Sequence, residues 1–414
     1  MYRFMAICLA AIGLVGLSSI KSFAEERKTL EELLVDKGTI TKEEAASIQA
    51  TKLTKGVDRI TLGGDLRLRH ESFMNDSEIA ARNRDRHRQR FRLRVGSTIK
   101  VDRFLVGIQL ASGTGEQTST NQSFDNLFSQ KSIWIQQAYL QWKAAQWLAL
   151  TAGKMPNPFF RSYSSDVVWD DDVTPEGFAE SLTFKLTDTI VVFVNAGQFI
   201  LDEDAADNND QWLFGEQVGT QIGLGKNTNF TLAGAFYNFK NATEGNFGQV
   251  TPQEGNTRLP PTPPATAPTN ILVNNYRVLD VTAQLAMKVG DLPIALQGDY
   301  VKNLADTTTD KDTGYQAGVI LGKASDPQTW EVAYFYKLLE TDATVADLAD
   351  SDFGNGGTNR KGHIVWVGYS PTKVTQAKVK YFMTELEDET LPPGLAAGTR
   401  DDIDRLQVDF SIKF

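Results

Sequence analysis

The chain has 414 residues, of which 41% are hydrophobic, 10% aromatic and 23% charged, with 42 Lys and Arg against 52 Asp and Glu for a formal net charge of −10. Mean hydropathy is −0.29, and one apolar stretch alone, residues 4–20, approaches spanning length, which excludes a bundle of membrane helices. A single cysteine excludes a disulfide scaffold, and the acidic balance argues against nucleic acid as a partner; a transmembrane β-barrel survives, because its alternating apolar and polar residues average to a soluble-looking hydropathy.

Residues 1–24 read as a secretory signal peptide. Arg3 gives the basic start, Phe4 to Leu17 the apolar stretch, and Ser22-Phe23-Ala24 a small-x-small cleavage site before Glu25. A membrane anchor fits less well, since the run is short and lacks a stop-transfer flank. The only cysteine, Cys8, lies inside this segment, so disulfide and thiol chemistry leave with it. Loss of Arg3 and Lys21 leaves 40 basic against 52 acidic residues, a net −12.

Residues 25–55 are expected to form a helical hairpin in the periplasm. Leu30, Leu33 and Leu34 recur at helical spacing, Gly38 ends that helix, and Thr41-x-x-Glu44 reads as a capping box opening a second helix to about Leu53. A plain soluble extension and an oligomerisation or cell-wall contact both fit this segment.

Residues 56–414 form the third region, and from Arg59 onward the period becomes two. Leu406, Val408, Phe410, Ile412 and Phe414 alternate with Arg405, Gln407, Asp409, Ser411 and Lys413. Phe91, Leu93 and Val95 alternate with Arg90, Arg92 and Arg94; Leu279 to Val289 and Ala377 to Tyr381 repeat the pattern. Residues 228–240 and 362–369 carry bulky apolar groups on both faces, so their facing stays open. Trp134, Tyr139, Trp142, Tyr300, Tyr315, Trp330, Tyr369 and Tyr381, near strand ends, suit a lipid-interface girdle.

Connections alternate in length. Short turns fall near 101–103, 144–145, 187–188, 226–227, 290–291, 325–327 and 370–372. Long ones fall near 75–87, 115–130, 155–176, 201–210, 242–273, 303–311, 342–358 and 387–401, the fifth rich in proline and therefore no central strand. Fifteen connections join about sixteen strands, with both ends on the short-turn side. The expected fold is all-β: a transmembrane antiparallel barrel of about sixteen strands with a short N-terminal helical extension, in the bacterial outer membrane. A secreted β-sandwich or solenoid explains neither the alternation of loop lengths nor the terminal Phe414.

The stretches Gln137-Ala138-Tyr139-Leu140-Gln141-Trp142, Leu148 to Phe159 and Trp169 to Gly177 resemble the bacterial putative-porin family, and residues 33–45 are similar to the N-terminal extension of several such porins. The resemblance implies an outer-membrane channel without naming its substrate; the expected function is passive diffusion of small hydrophilic solutes and ions, with a homotrimer by analogy with sixteen-stranded relatives and no cofactor. Phe414 resembles the terminal aromatic read by the barrel assembly machinery. By analogy of topology, the third long loop folds into the barrel; it carries Asp166, Asp170, Asp171, Asp172 and Glu176. Arg67 and Arg69 on the first strand and Arg90, Arg92 and Arg94 on the second form a basic patch, so an acidic loop facing an arginine wall is the expected constriction. The bland alternative is that these arginines solvate a wide lumen and pair with nearby acids. Arg82, Arg84, Arg86, His87 and Arg88 extend the basic character into the first loop, where they bind lipopolysaccharide phosphates or simply face solvent.

Enzyme chemistry finds little support. His70, His87 and His363 are far apart in sequence and show no metal spacing, and no G-x-S-x-G motif occurs. Acidic residues at 202–210 lack the order of an EF-hand loop. The readings carried forward are a passive diffusion porin, a structural barrel that binds or sheathes a partner (an adhesin among them), and, ranked last, a membrane hydrolase.

Overall fold

The computed structural model describes residues 37, 38, 41, 57–78, 83–203, 205, 209–247, 255–259, 270–389 and 400–414. The expected signal peptide lies outside the described residues, as does the expected hairpin apart from Lys37, Gly38 and Thr41. The chain divides into Met1–Arg59 and Ile60–Phe414, and the second unit is the barrel.

The strands in chain order are β1 (Arg59–Ser77), β2 (Arg86–Val101), β3 (Phe104–Ser112), β4 (Gln122–Ser123), β5 (Ile133–Ala145), β6 (Leu148–Lys154), β7 (Glu176–Lys185), β8 (Ile190–Asp202), β9 (Gln211–Gly223), β10 (Thr228–Lys240), β11 (Tyr276–Val289), β12 (Leu292–Asn303), β13 (Thr313–Gly322), β14 (Thr329–Leu339), β15 (Arg360–Ser370), β16 (Thr375–Leu386) and β17 (Asp401–Lys413). The two-residue β4 pairs with β2 inside a loop. The other sixteen form one closed meander, each pairing with its neighbours in sequence. Closure comes where β1 meets β17, from Asp65↔Lys413 to Ser77↔Asp401, antiparallel. A closed sheet leaves no unpaired edge, which is the condition for a strand to survive in hydrocarbon. The long connections are numbered here in chain order: L1 (78–85), L2 (113–132), L3 (155–175), L4 (203–210), L5 (241–275), L6 (304–312), L7 (340–359) and L8 (387–400).

The period-two reading of facing holds where one face is charged. Val95, Phe410 and Phe414 are exposed on the outside, while Arg90, Arg405 and Gln407 are buried inside. Strand β2 begins at Arg86, so Arg86, His87 and Arg88 belong to a strand rather than to L1. Aromatic pairs form two outer belts: Phe104–Trp142 and Trp147–Phe184 near the short turns, Trp212–Phe214 and Tyr315–Tyr336 near the long loops. Tyr139 departs from the expectation. It pairs across from Gly107, packs against the buried apolar cluster of the lumen, and occupies the space a Gly107 side chain would need.

The two strands with ambiguous facing are also settled. Ala233, Ala235, Tyr237 and Phe239 of β10 point inward and are buried, as are Ile364 and Trp366 of β15. Both faces are apolar there because the inner one meets folded-in loops instead of water.

Candidate functional site

Residues two apart on one strand share a face, so β1, β2 and β17 present Arg67, Arg69, Arg88, Arg90, Arg92, Arg94 and Arg405 to the lumen. Three wall carboxylates answer them. Asp65 accepts from Arg92 at 2.8 Å and Arg94 at 2.7 Å. Asp409 binds Arg69 through both oxygens, at 2.7 and 2.8 Å. Glu71 is fully buried among Arg405, Arg88 and Arg90, the last at 3.7 Å. Seven guanidiniums against three carboxylates leave this wall with an excess of four positive charges. Burial makes each of these charges dependent on its partners, since removing one partner strands the other.

L3 runs around the opposite wall and is stitched to it. Phe159, Trp169 and Tyr237 meet edge-on or tilted, with ring centroids 5.1–6.0 Å apart. Gly215 of β9 lacks a side chain where the Phe159 ring presses on the sheet. The backbone of Phe160 exchanges two hydrogen bonds with the Gln217 amide, at 2.7 and 2.9 Å. Gln316 donates to the Ser164 carbonyl at 2.8 Å, Lys337 to the Asp166 carbonyl at 3.2 Å, and Ser165 to Asp299.

L7 was not singled out by sequence, yet it folds in beside L3. Ala343, Val345, Ala346 and Ala349 are fully buried. Asp342 holds the loop in place by accepting from Tyr276 at 2.8 Å, Asn274 at 2.9 Å and Thr257 at 2.7 Å. The two loops bond to each other: Asp170 N–H to the Leu348 carbonyl at 2.7 Å, Asp350 N–H to the Asp166 carbonyl at 3.1 Å, and Ser351 N–H to the Asp170 carboxylate at 2.9 Å. L2 completes the ring, with Ser351 donating to the Thr118 carbonyl and Asn121 accepting from Arg67, at 2.9 and 2.7 Å.

Between wall and loops lies a cavity of about 170 Å³. Arg67, Arg69, Arg92, Lys378 and Lys380 contribute its cations; Asp166, Asp170, Asp171 and Asp172 of L3 and Asp350 and Asp352 of L7 contribute acids. A second cavity of about 310 Å³ lies toward the short turns and shares the side chains of Arg67, Arg92, Lys378 and Asp409 with the first, so the two adjoin. Asp172 comes within 3.9 Å of Arg92 and 3.7 Å of Arg94. Lys378 and Lys380 lie over the Trp366 ring at 5.2 and 5.6 Å, so the cationic side has an aromatic floor.

Burial, with the neighbouring carboxylates of Asp171 and Asp350, pushes the Asp166 carboxyl well above its ordinary range. Asp170 is pushed the same way by burial and by Asp172 and Asp166. Burial opposes the charged form of Asp352 too, but Arg405 and Arg69 beside it prevail and hold its carboxyl well below the usual range.

Arg67, Arg69, Arg92, Asp166, Asp170, Asp171 and Asp172 therefore share one cavity. Arg94 lines the lower cavity only, and Arg90 is buried against Ser119 and the Asn121 carbonyl, in neither lining. Glu176 stands apart, exposed at the start of β7 and paired with Lys154 at 2.8 Å. Lys378 and Lys380 were legible only as the polar half of an alternating strand.

A closed sixteen-stranded barrel with an apolar exterior, aromatic belts and a charged lumen defines an outer-membrane channel barrel. The chain belongs to the family described as putative porin, whose model matches residues 73–259 and 253–414, and it is a porin of the bacterial outer membrane. In fold it is similar to the high-pH structure of Pseudomonas putida OprB, at 11% identity and a TM-score of 0.53 over 86% of this chain and 94% of that one. It is also similar to outer-membrane expressed OmpT of Vibrio cholerae, at 12% identity and a TM-score of 0.48 over 88% of this chain and 99% of that one. No curated protein matches the chain.

Proposed function

We propose that the protein is a narrow, water-filled channel for passive diffusion of ions and small hydrophilic solutes, constricted jointly by L3 and L7 against the arginine wall. The carrying observation is the small lumenal cavity with cations on one side and carboxylates on the other. Opposed charge across a low-dielectric gap produces a transverse field, which sorts solutes by charge and dipole rather than by hydrophobicity. The cations Arg67, Arg69, Arg92, Lys378 and Lys380 are nearly matched by the ionised members of the acidic set, which supports weak selectivity. Purified protein in planar bilayers is expected to give small ohmic steps and a reversal potential near zero in a salt gradient. Steps no larger than those of an empty bilayer would sink this reading in favour of a barrel that serves as an adhesin or a sheath.

A further inference from the structure

The outer face of β1 and β2 carries a polar group that the channel does not use. Ser72 pairs across from Leu406, and Leu406 pairs across from Tyr381, so Ser72 stands on the lipid side at the rung of a loop-side interfacial tyrosine. Below it, Leu68 and Phe410 are exposed apolar residues of the lipid band. His70 and Ser72 lie on β1, His87 and Gln89 on β2, and the hairpin brings the two histidine rings to 6.4 Å, stacked, despite their distance in sequence. Ser72 Oγ is 2.9 Å from His70 Nε2, and Gln89 Nε2 is 2.6 Å from His70 Nδ1. His87 Nδ1 reaches the same hydroxyl at 2.8 Å. Polar side chains facing lipid are costly, and such a linked set calls for a reason.

We propose that Ser72, His70 and Gln89 form a nucleophile–base–orienter triad that hydrolyses acyl esters of membrane lipids at the outer rim of the bilayer. A serine hydroxyl carries one proton and so donates to only one of its two imidazoles. A half-turn of the Gln89 amide, whose two ends are interchangeable in such assignments, places Oε1 on the His70 Nδ1 proton. That fixes His70 Nε2 as the acceptor from Ser72 and leaves His87 Nδ1–H as the donor. The arrangement is a base held in the correct tautomer beside a hydroxyl, the logic of serine hydrolases. Ser72 is buried beneath the rings while His87 is exposed, so His87 swings aside to admit an ester and turns its N–H toward the carbonyl oxygen.

In the first half-reaction Ser72 Oγ bonds to the ester carbonyl carbon and its proton passes to His70 Nε2. The bond from that carbon to the alcohol oxygen breaks, and His70 returns the proton to the departing alkoxide. Water then attacks the acyl-serine, giving its proton to His70; the serine oxygen leaves and recovers that proton, and a fatty acid is released. The only co-reactant is water.

The test reconstitutes the full chain in vesicles. One arm uses a glycerophospholipid with fluorogenic acyl esters, the other lipopolysaccharide as the sole ester source. Release in either arm identifies the lipid, and Ser72→Ala or His70→Ala is expected to lower it by about a hundredfold or more. Gln89→Ala should lower kcat with KM unchanged. A fluorophosphonate should label wild-type Ser72, located by mass spectrometry, and label His70→Ala far more slowly. Single-channel conductance of each variant reports folding independently, so failure of hydrolysis leaves the channel reading standing. Release no faster than from protein-free vesicles in both arms, or release unchanged in Ser72→Ala, overturns the proposal. Where Ser72→Ala yields no channels, absence of a wild-type adduct at Ser72 overturns it.

Discussion

At the scale of residues, position within the charge network matters more than charge sign. Arg90 and Arg92 are two apart on one strand, yet only Arg92 lines the cavity between wall and loops, while Arg90 is held by Glu71 and the L2 backbone. Replacing Arg67 and Arg92 with Gln should shift the reversal potential toward cation preference, whereas Arg90→Gln should leave it in place; equal shifts would mean that the field is set by the whole wall. Asp166 and Asp170 give a pH dependence with a definite sign. Their carboxyls are raised by burial and by neighbouring carboxylates, so they stay neutral above the ordinary carboxylate range of about 4 and ionise only as pH climbs further. Each ionisation adds negative charge to the cavity. Cation preference should therefore grow as pH rises beyond that range, and Asp166→Asn with Asp170→Asn should flatten the profile of reversal potential against pH. A profile that is just as steep in the double variant would assign the titration elsewhere.

At the scale of elements, L3 is held by its packing rather than by its charges. Trp169 is nearly fully buried between Phe159, Phe199 and Tyr237. Trp169→Ala removes that contact set, and the loss of a large buried aromatic costs about 3–5 kcal/mol. The expected outcome in single-channel records is a larger, noisier conductance as the loop leaves the wall; an unchanged step size would show that L7 alone sets the bore. What sequence could reveal of these elements follows the physics of periodicity. Strands β2, β11 and β17 were legible because one face meets lipid and the other meets charge. β10 and β15 were not, since loops cover their inner faces and the alternation of polarity cancels. L7 carries no such signal because its apolar residues, Ala343, Val345, Ala346, Leu348, Ala349 and Phe353, are few and lack a repeating period. Their burial depends on Asp342 meeting Tyr276, some 66 positions away in the chain, and no local pattern encodes that encounter. The arginine wall was readable as a face, but which arginine is consumed by Glu71 depends on β17 returning beside β1, a closure that strand counting implies without giving its register.

At the scale of the whole molecule, closure rests on a single seam whose last rung is Phe414 opposite Gly64. Phe414 N–H donates to the Gly64 carbonyl at 3.1 Å, and Gly64 N–H donates to the Phe414 carbonyl at 2.9 Å. Gly64 has no side chain where one would strike the Phe414 ring and the Arg94 carbonyl. The terminal aromatic is thus joined to the first strand, exposed on the lipid side, and fitted over a glycine. Along the same seam Arg405 reaches Glu71 and Arg69 reaches Asp409, so pairing of the first and last strands also completes part of the arginine wall. Barrel closure and the pairing of these wall charges therefore share one seam. Deleting Phe414 removes the final pair of backbone bonds and the ring, while every lumenal group remains. The expected result is a lower yield of the heat-modifiable, folded form on gels, with normal conductance and reversal potential in the fraction that does fold. Gly64→Val should act in the same direction by lifting the ring. Were the surviving channels of the Phe414 deletion altered in selectivity, the seam would be shaping the lumen directly, and Phe414 would act on more than barrel closure.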